Sequence, residues 1–233
     1  MDWSPLADAL LSPAPLLPDM ALLRAARRVS WALVLACLLL YLGGARWPLR
    51  VRWGLSLGLL GVMFLPGPLS LAYWLGLAFQ TPSVMSSVLA MQYLACLLRG
   101  QPCVPLTHSS SRALAVLSWV GIALGWLLLL DLLAVLPFPG SLYAWGFSPA
   151  VLATVAVLSA LPWVMGGTRH GGAWVSGLLG AVLLLYAALR LPNGNLWNAL
   201  LDPWLWIVLQ LGWLLRGARW FKARHAPTAA TRA

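Results

Sequence analysis

Three charged residues stand where chemistry is possible in an otherwise apolar chain: Asp131, Arg190 and Asp202. Asp131 follows Trp126-Leu-Leu-Leu-Leu and lies about a turn and a half before Pro137. A carboxylate inside a membrane helix costs about 2.5–3.5 kcal/mol on insertion scales, so it turns toward a bundle and takes a partner. Two uses follow. It binds a proton or a cation, or it sits near a membrane interface and pairs with Arg190 or with loop backbone. Arg190 and Asp202 bracket Asn193, Gly194, Asn195 and Asn198, the densest polar cluster outside the C-terminal tail. With Asp131 they make a candidate vestibule for a polar ligand or a partner's loop. The plainer reading makes Asp202 a helix N-cap, Arg190 a snorkelling anchor and the asparagines turn formers.

The remaining reactive side chains are scattered. His108 and His170 fall in loops and His225 in the tail, so no pair is placed to ligate a haem. Cys37 and Cys96 lie in apolar runs and Cys103 in a loop, without C-x-x-C or metal spacing, and free thiols are expected. Ser109-Ser110-Ser111 beside His108 reads as a polar loop rather than a nucleophile with its base, and no phosphate loop, nucleophile elbow or metalloprotease motif occurs. The sequence therefore predicts no catalytic residue, no metal and no cofactor, and a non-enzymatic protein.

What must position these residues is a set of long apolar runs. Only 9% of the chain is charged against 61% apolar, and several runs approach the roughly 20 residues that cross a bilayer core. The reading is an all-α, polytopic transmembrane bundle of about seven spans: Val29 to Ala45, Trp53 to Leu65, Pro82 to Leu98, Ala113 to Leu136, Pro149 to Met165, Gly172 to Leu189 and Pro203 to Leu215. Residues 1–28 form an extracytoplasmic or interfacial segment with a short helix around Met20 to Arg28, 29–215 the membrane domain, and 216–233 a basic cytoplasmic tail. Asp2, Asp8, Asp19 and four prolines in the first twenty residues are incompatible with a cleaved secretory signal.

Arginine placement sets the orientation. One face would hold Arg46, Arg50, Arg52, Arg99, Arg112, Arg169, Arg216, Arg219, Lys222, Arg224 and Arg232, the other only Arg24, Arg27, Arg28 and Arg190. Eleven against four predicts a cytoplasmic C-terminus and a periplasmic N-terminus. The net charge of +10 is then a membrane feature, with the tail resting on anionic headgroups, and nucleic acid is not an expected partner. The use of arginine to the near exclusion of lysine, with no glutamate, points to a bacterial inner membrane.

Finer patterns concern packing. Thr81-Pro82, Ser148-Pro149 and Asp202-Pro203 read as capped helix starts on one face. Two loops share the order P-x-P-x-S-L, then Y, W, G, F and [ST]-P, beginning at Pro66 and Pro137, which suggests tandem helical hairpins. Small residues recur at four-residue spacing at Gly54/Gly58, Gly121/Gly125 and Ala173/Gly177/Ala181, where helices can approach closely. Most tryptophans suit interfacial belts, whereas Trp119, Trp126 and Trp213, with Gln92, Tyr93 and Gln210, lie deeper and call for hydrogen-bond partners. The expected role is an accessory or assembly subunit of a membrane complex, partnered by the lipid bilayer and other membrane-protein subunits. The alternative is a small permease or a lipid or small-molecule transporter.

Overall fold

A computed structural model describes residues 17–43, 47–100, 112–135, 140–166 and 171–225, and every regular element among them is helical. Each of the seven apolar runs forms helix. The first is α1, Met20–Gly43, begun by Asp19, whose Oδ1 accepts the amides of Ala21 (2.9 Å) and Leu22 (3.0 Å). The arginines at 24, 27 and 28 ride on the opening turns of this same long helix, because nothing between Met20 and Val29 breaks it. The helix α2, Leu49–Met63, runs back along α1. A 3₁₀ turn, Gly67–Leu69, and a short helix α3, Leu71–Ala78, then lead to α4, Val84–Leu98.

The second half begins with α5, Arg112–Leu132, followed by the single-turn α6, Leu142–Trp145. The fifth apolar run divides into α7, Pro149–Leu158, and α8, Leu161–Gly166, where one continuous helix was expected. Pro162 explains the break: it has no N–H for the Leu158 carbonyl, and its ring excludes that carbonyl from the usual helical position. Next come α9, Gly172–Leu189, the short α10, Leu196–Leu200, and α11, Pro203–His225. The last helix runs ten residues past the predicted Leu215 and absorbs the start of the basic tail.

Three helices, α1, α5 and α9, are long and apolar enough to cross a membrane. Large apolar side chains stand open on their flanks, Leu132 at 80% and Leu184 at 73% exposure among them, as expected where hydrocarbon rather than water is the surrounding solvent. With little hydrophobic drive between helices in such a medium, close packing must hold the bundle. Accordingly α4 lies between α1 and α9: Ala36 and Leu40 pack on Leu94 and Leu98 near one end, and Met85 and Val88 on Leu178 and Val182 near the other. A further cluster joins Leu152 of α7, Leu183 and Tyr186 of α9, and Leu196 and Ala199 of α10.

The small-residue spacings divide by use. Side chains of α11 fill the notches at Gly121 and Gly125, where Leu209 and the Trp206 ring press on the α5 backbone. Trp206 Nε1 also donates to the Ile122 carbonyl (3.2 Å), and Trp119 stacks beside Trp213 with centroids 4.6 Å apart. Gly54, Gly58 and Gly177, expected to seat neighbouring helices, face open space instead. Gln210 bonds back to Trp206 of its own helix, and Gln92 is exposed.

Candidate functional site

The polar chemistry collects at the end of the bundle where α2 and α5 finish and α4 and α11 begin. Its hub is Tyr143. Asn198 Nδ2 (2.8 Å) and Asn193 Nδ2 (3.3 Å) both donate to the Tyr143 hydroxyl, and Asn195 Nδ2 donates to the Tyr143 carbonyl (2.9 Å). Trp197 Nε1 reaches the Leu142 carbonyl (3.0 Å), and the Leu196 amide the Gly146 carbonyl (2.9 Å). Asn195 is completely buried, and its Oδ1 caps α10 through the Trp197 amide (2.9 Å). A buried amide is tolerated only when its groups are satisfied, and here the side chain divides between a bond across to the other loop and the cap of its own helix. Gly146 makes this docking possible: its α-carbon faces Asn195 and Trp197 too closely for any side chain.

Asp131 joins the same plate from below. Its Oδ2 accepts the Ser141 hydroxyl (2.8 Å) and the Tyr143 amide (2.9 Å), the second a bond to loop backbone. Ser141 in turn caps α6 through the Ala144 amide (3.4 Å). The first of the two similar loops is built alike: Ser70 begins α3, and its hydroxyl donates to the Met63 carbonyl at the end of α2 (2.7 Å). The shared Ser-Leu thus marks a common device, a serine that ties a short helix to the end of the long helix before it.

Asp202 occupies a different corner and is 5% exposed. Its Oδ1 accepts the Leu205 amide (2.8 Å), the N-cap bond expected of α11. Its Oδ2 accepts the Ser83 amide (2.8 Å) and the Ser86 hydroxyl at the start of α4. One carboxylate therefore closes two helix N-termini, where two macrodipoles favour negative charge. The other two proline-marked starts differ from expectation. Ser148 flanks α7 without a side-chain cap bond, and the cap of α4 is Ser83, not Thr81, with Ser83 Oγ accepting the Ser86 amide (3.0 Å). Pro82 stands before the cap, extended, rather than at the first helical position.

Arg190 ends α9 with a left-handed backbone, φ 53°, and lays its guanidinium over the Tyr186 ring, 5.4 Å from the centroid. The Tyr186 hydroxyl donates to the Gly194 carbonyl, fixing the loop that follows. Asp131, Arg190 and Asp202 thus belong to one layer but serve three separate joints. Tyr143, Ser83 and Ser86 were not singled out as site residues. The one available signal was the Ser-x-x-Ser spacing of Ser83 and Ser86 ahead of an apolar run, which is a capping pattern.

Beside Asp202 lies a small cleft of about 180 Å³, lined by Gln80, Thr81, Pro192, Asn193, Asn198 and Asp202. It adjoins an apolar groove of about 200 Å³ between α1, α4 and α9, and Thr81 and Pro192 line both. Among the described residues no cluster of three metal-binding side chains occurs, Cys37 and Cys96 form no disulfide, and His108, His170 and Cys103 lie outside the described residues. No family model, curated protein or solved structure matches the chain.

Proposed function

We propose that this protein is a non-enzymatic accessory or assembly subunit of a bacterial inner-membrane complex, crossing the bilayer about seven times with its arginine-rich face and C-terminus in the cytosol. The observation that carries the reading is the docked loop plate. Asp131, Asp202 and the asparagines, the groups best suited to moving an ion or a polar solute, are engaged in joining loops to helix ends. A gate needs loops that separate cheaply, whereas these are cross-linked around a buried amide. Two short helices at this end of the bundle carry Trp74 (56% exposed) and Trp145 (51% exposed) outward, the second of them within the plate, and rigid aromatic side chains supply contact area at small entropic cost. The excess of arginine on one side supports the orientation.

The test places a photo-crosslinking amino acid at position 74 or 145 of the full chain in cells, with position 184, on the flank of α9, as the lipid-facing control. The expected result is one discrete protein adduct, the same from both tryptophan positions and absent from the control. Indistinguishable adducts at all three positions, or solute flux in reconstituted vesicles that Asp131→Asn alters, would move the assignment to the rival permease. A reporter fused to the C-terminus and active only in the periplasm would overturn the orientation.

A further inference from the structure

The groove and the cleft beside Asp202 are neighbours of different character that share Thr81 and Pro192 as lining residues. The groove is walled by Val29 and Leu33 of α1, Val88 and Met91 of α4, and Leu189 of α9. Its Ser30 and Ser87 bond each other (2.9 Å), and Ser87 also donates to the Ser83 carbonyl (2.9 Å), so these hydroxyls are satisfied within the protein. What remains for an occupant is hydrocarbon surface. Past Thr81 and Pro192 the wall becomes mixed, with Leu201 beside the amides of Gln80, Asn193 and Asn198 and the Asp202 carboxylate.

The one ionisable side chain on the cleft is Asp202. Asn193 and Asn198 both spend an Nδ2–H on Tyr143, which turns their NH₂ groups toward the hub. An ionised carboxylate offers about four acceptor positions. Asp202 fills three of them, with Ser83 N, Ser86 Oγ and Leu205 N, and still borders the cleft. A carboxylate with spare capacity recognises a donor, best a cationic one, since a charge-assisted bond is about twice as strong as a neutral one. An anionic group placed there would meet the Asp202 charge.

We propose that the groove and the cleft together hold one lipid of defined class, an acyl chain lying in the groove between α1, α4 and α9 and a primary-amine head group in the cleft at Asp202, Thr81 and Asn198. The site borders the loop plate through Asn198, and the proposal does not depend on which partner the plate engages. The occupant is distinguished from bulk lipid by the amine, because hydrocarbon alone would enter the groove with any head group.

The full-length protein, reconstituted in vesicles of equal phosphatidylethanolamine and phosphatidylglycerol, would be extracted into mild detergent and its retained lipid counted by native mass spectrometry. The expected result is one retained phosphatidylethanolamine, favoured about tenfold over phosphatidylglycerol, the order expected of one buried charge-assisted bond. Thr81→Lys supplies an ammonium from the protein itself and should bring the preference close to unity. Val29→Trp fills the groove from a position that is 39% exposed, and should abolish retention of both lipids while the helical circular dichroism stays unchanged. Equal retention of the two lipids by the wild type, a preference for phosphatidylglycerol, or undiminished retention in a folded Val29→Trp protein would each overturn the proposal.

Discussion

Replacing Asp202 tests most directly whether a single carboxylate locks two helix starts. Asp202→Ala strands the buried Ser83 amide, which now donates to Oδ2 at 2.8 Å, at a cost of about 1–3 kcal/mol. It also removes the cap on Leu205 N, worth about 0.5–2 kcal/mol. Ser86 contributes less, because its hydroxyl already lies 3.1 Å from Ser83 Oγ and can turn to it. The sum is a destabilisation of about 2–5 kcal/mol. Asp202→Asn keeps one acceptor oxygen but sets an NH₂ against one of the two backbone donors, so about half that loss is expected. Unfolding of the detergent-solubilised protein by a graded denaturing detergent, followed by far-ultraviolet circular dichroism, measures both variants. Hydrogen exchange at Ser83 and Leu205 localises the effect. Two variants within about 0.5 kcal/mol of wild type, the range of ordinary surface changes, or an Asn variant less stable than the Ala variant, would refute the double-cap argument.

Gly146→Ala has no backbone penalty, since φ is −62°, yet its methyl would collide with Asn195 and Trp197. A loss of about 1–3 kcal/mol, with faster exchange of the Leu196 amide that bonds the Gly146 carbonyl, is expected. Gly125→Ala drives a methyl into the Trp206 ring and should cost a similar about 1–3 kcal/mol, while Gly58→Ala meets open space and should be neutral or stabilising by up to about 1 kcal/mol. Thermal unfolding of the two glycine variants in one detergent distinguishes close packing from mere small-residue spacing. At the start of α1, the amides of Leu22 and then Ala21 hold the Asp19 carboxyl below its ordinary value of 3.8. Because that pKa is depressed in the folded state, the cap is fully present above pH 3.8 and is lost as pH falls through the lower folded value. Exchange of the Ala21 and Leu22 amides should quicken over that acidic window in the wild type, and Asp19→Asn should remove the pH dependence.

Much of the architecture was legible because hydrophobic length is a one-dimensional property. The run Gly172 to Leu189 begins and ends where α9 does, with a glycine before it and a left-handed residue after it, φ 73° and 53°. The N-cap role of Asp202 was also legible, since a carboxylate one residue before proline has few other uses at a helix start. Pro162 was overlooked in a run that is apolar on either side of it, and Asp19 went unread as the start of a helix that continues unbroken through three arginines. The notches at Gly121 and Gly125 and the open glycines of α2 have the same spacing, so spacing cannot say which of them a neighbour fills.

Taken alone, the chain determined that its long segments are helical, apolar and bounded by arginine and proline, because each residue's cost of meeting hydrocarbon is local. Only the tertiary structure decided that Asp202 serves a second helix start 119 positions away, that Tyr143 gathers three asparagines, and that a hydrocarbon groove lies next to a cleft bordered by Asp202. Those facts depend on which helix ends become neighbours, and that choice rests on packing between distant segments, which no short stretch of sequence contains.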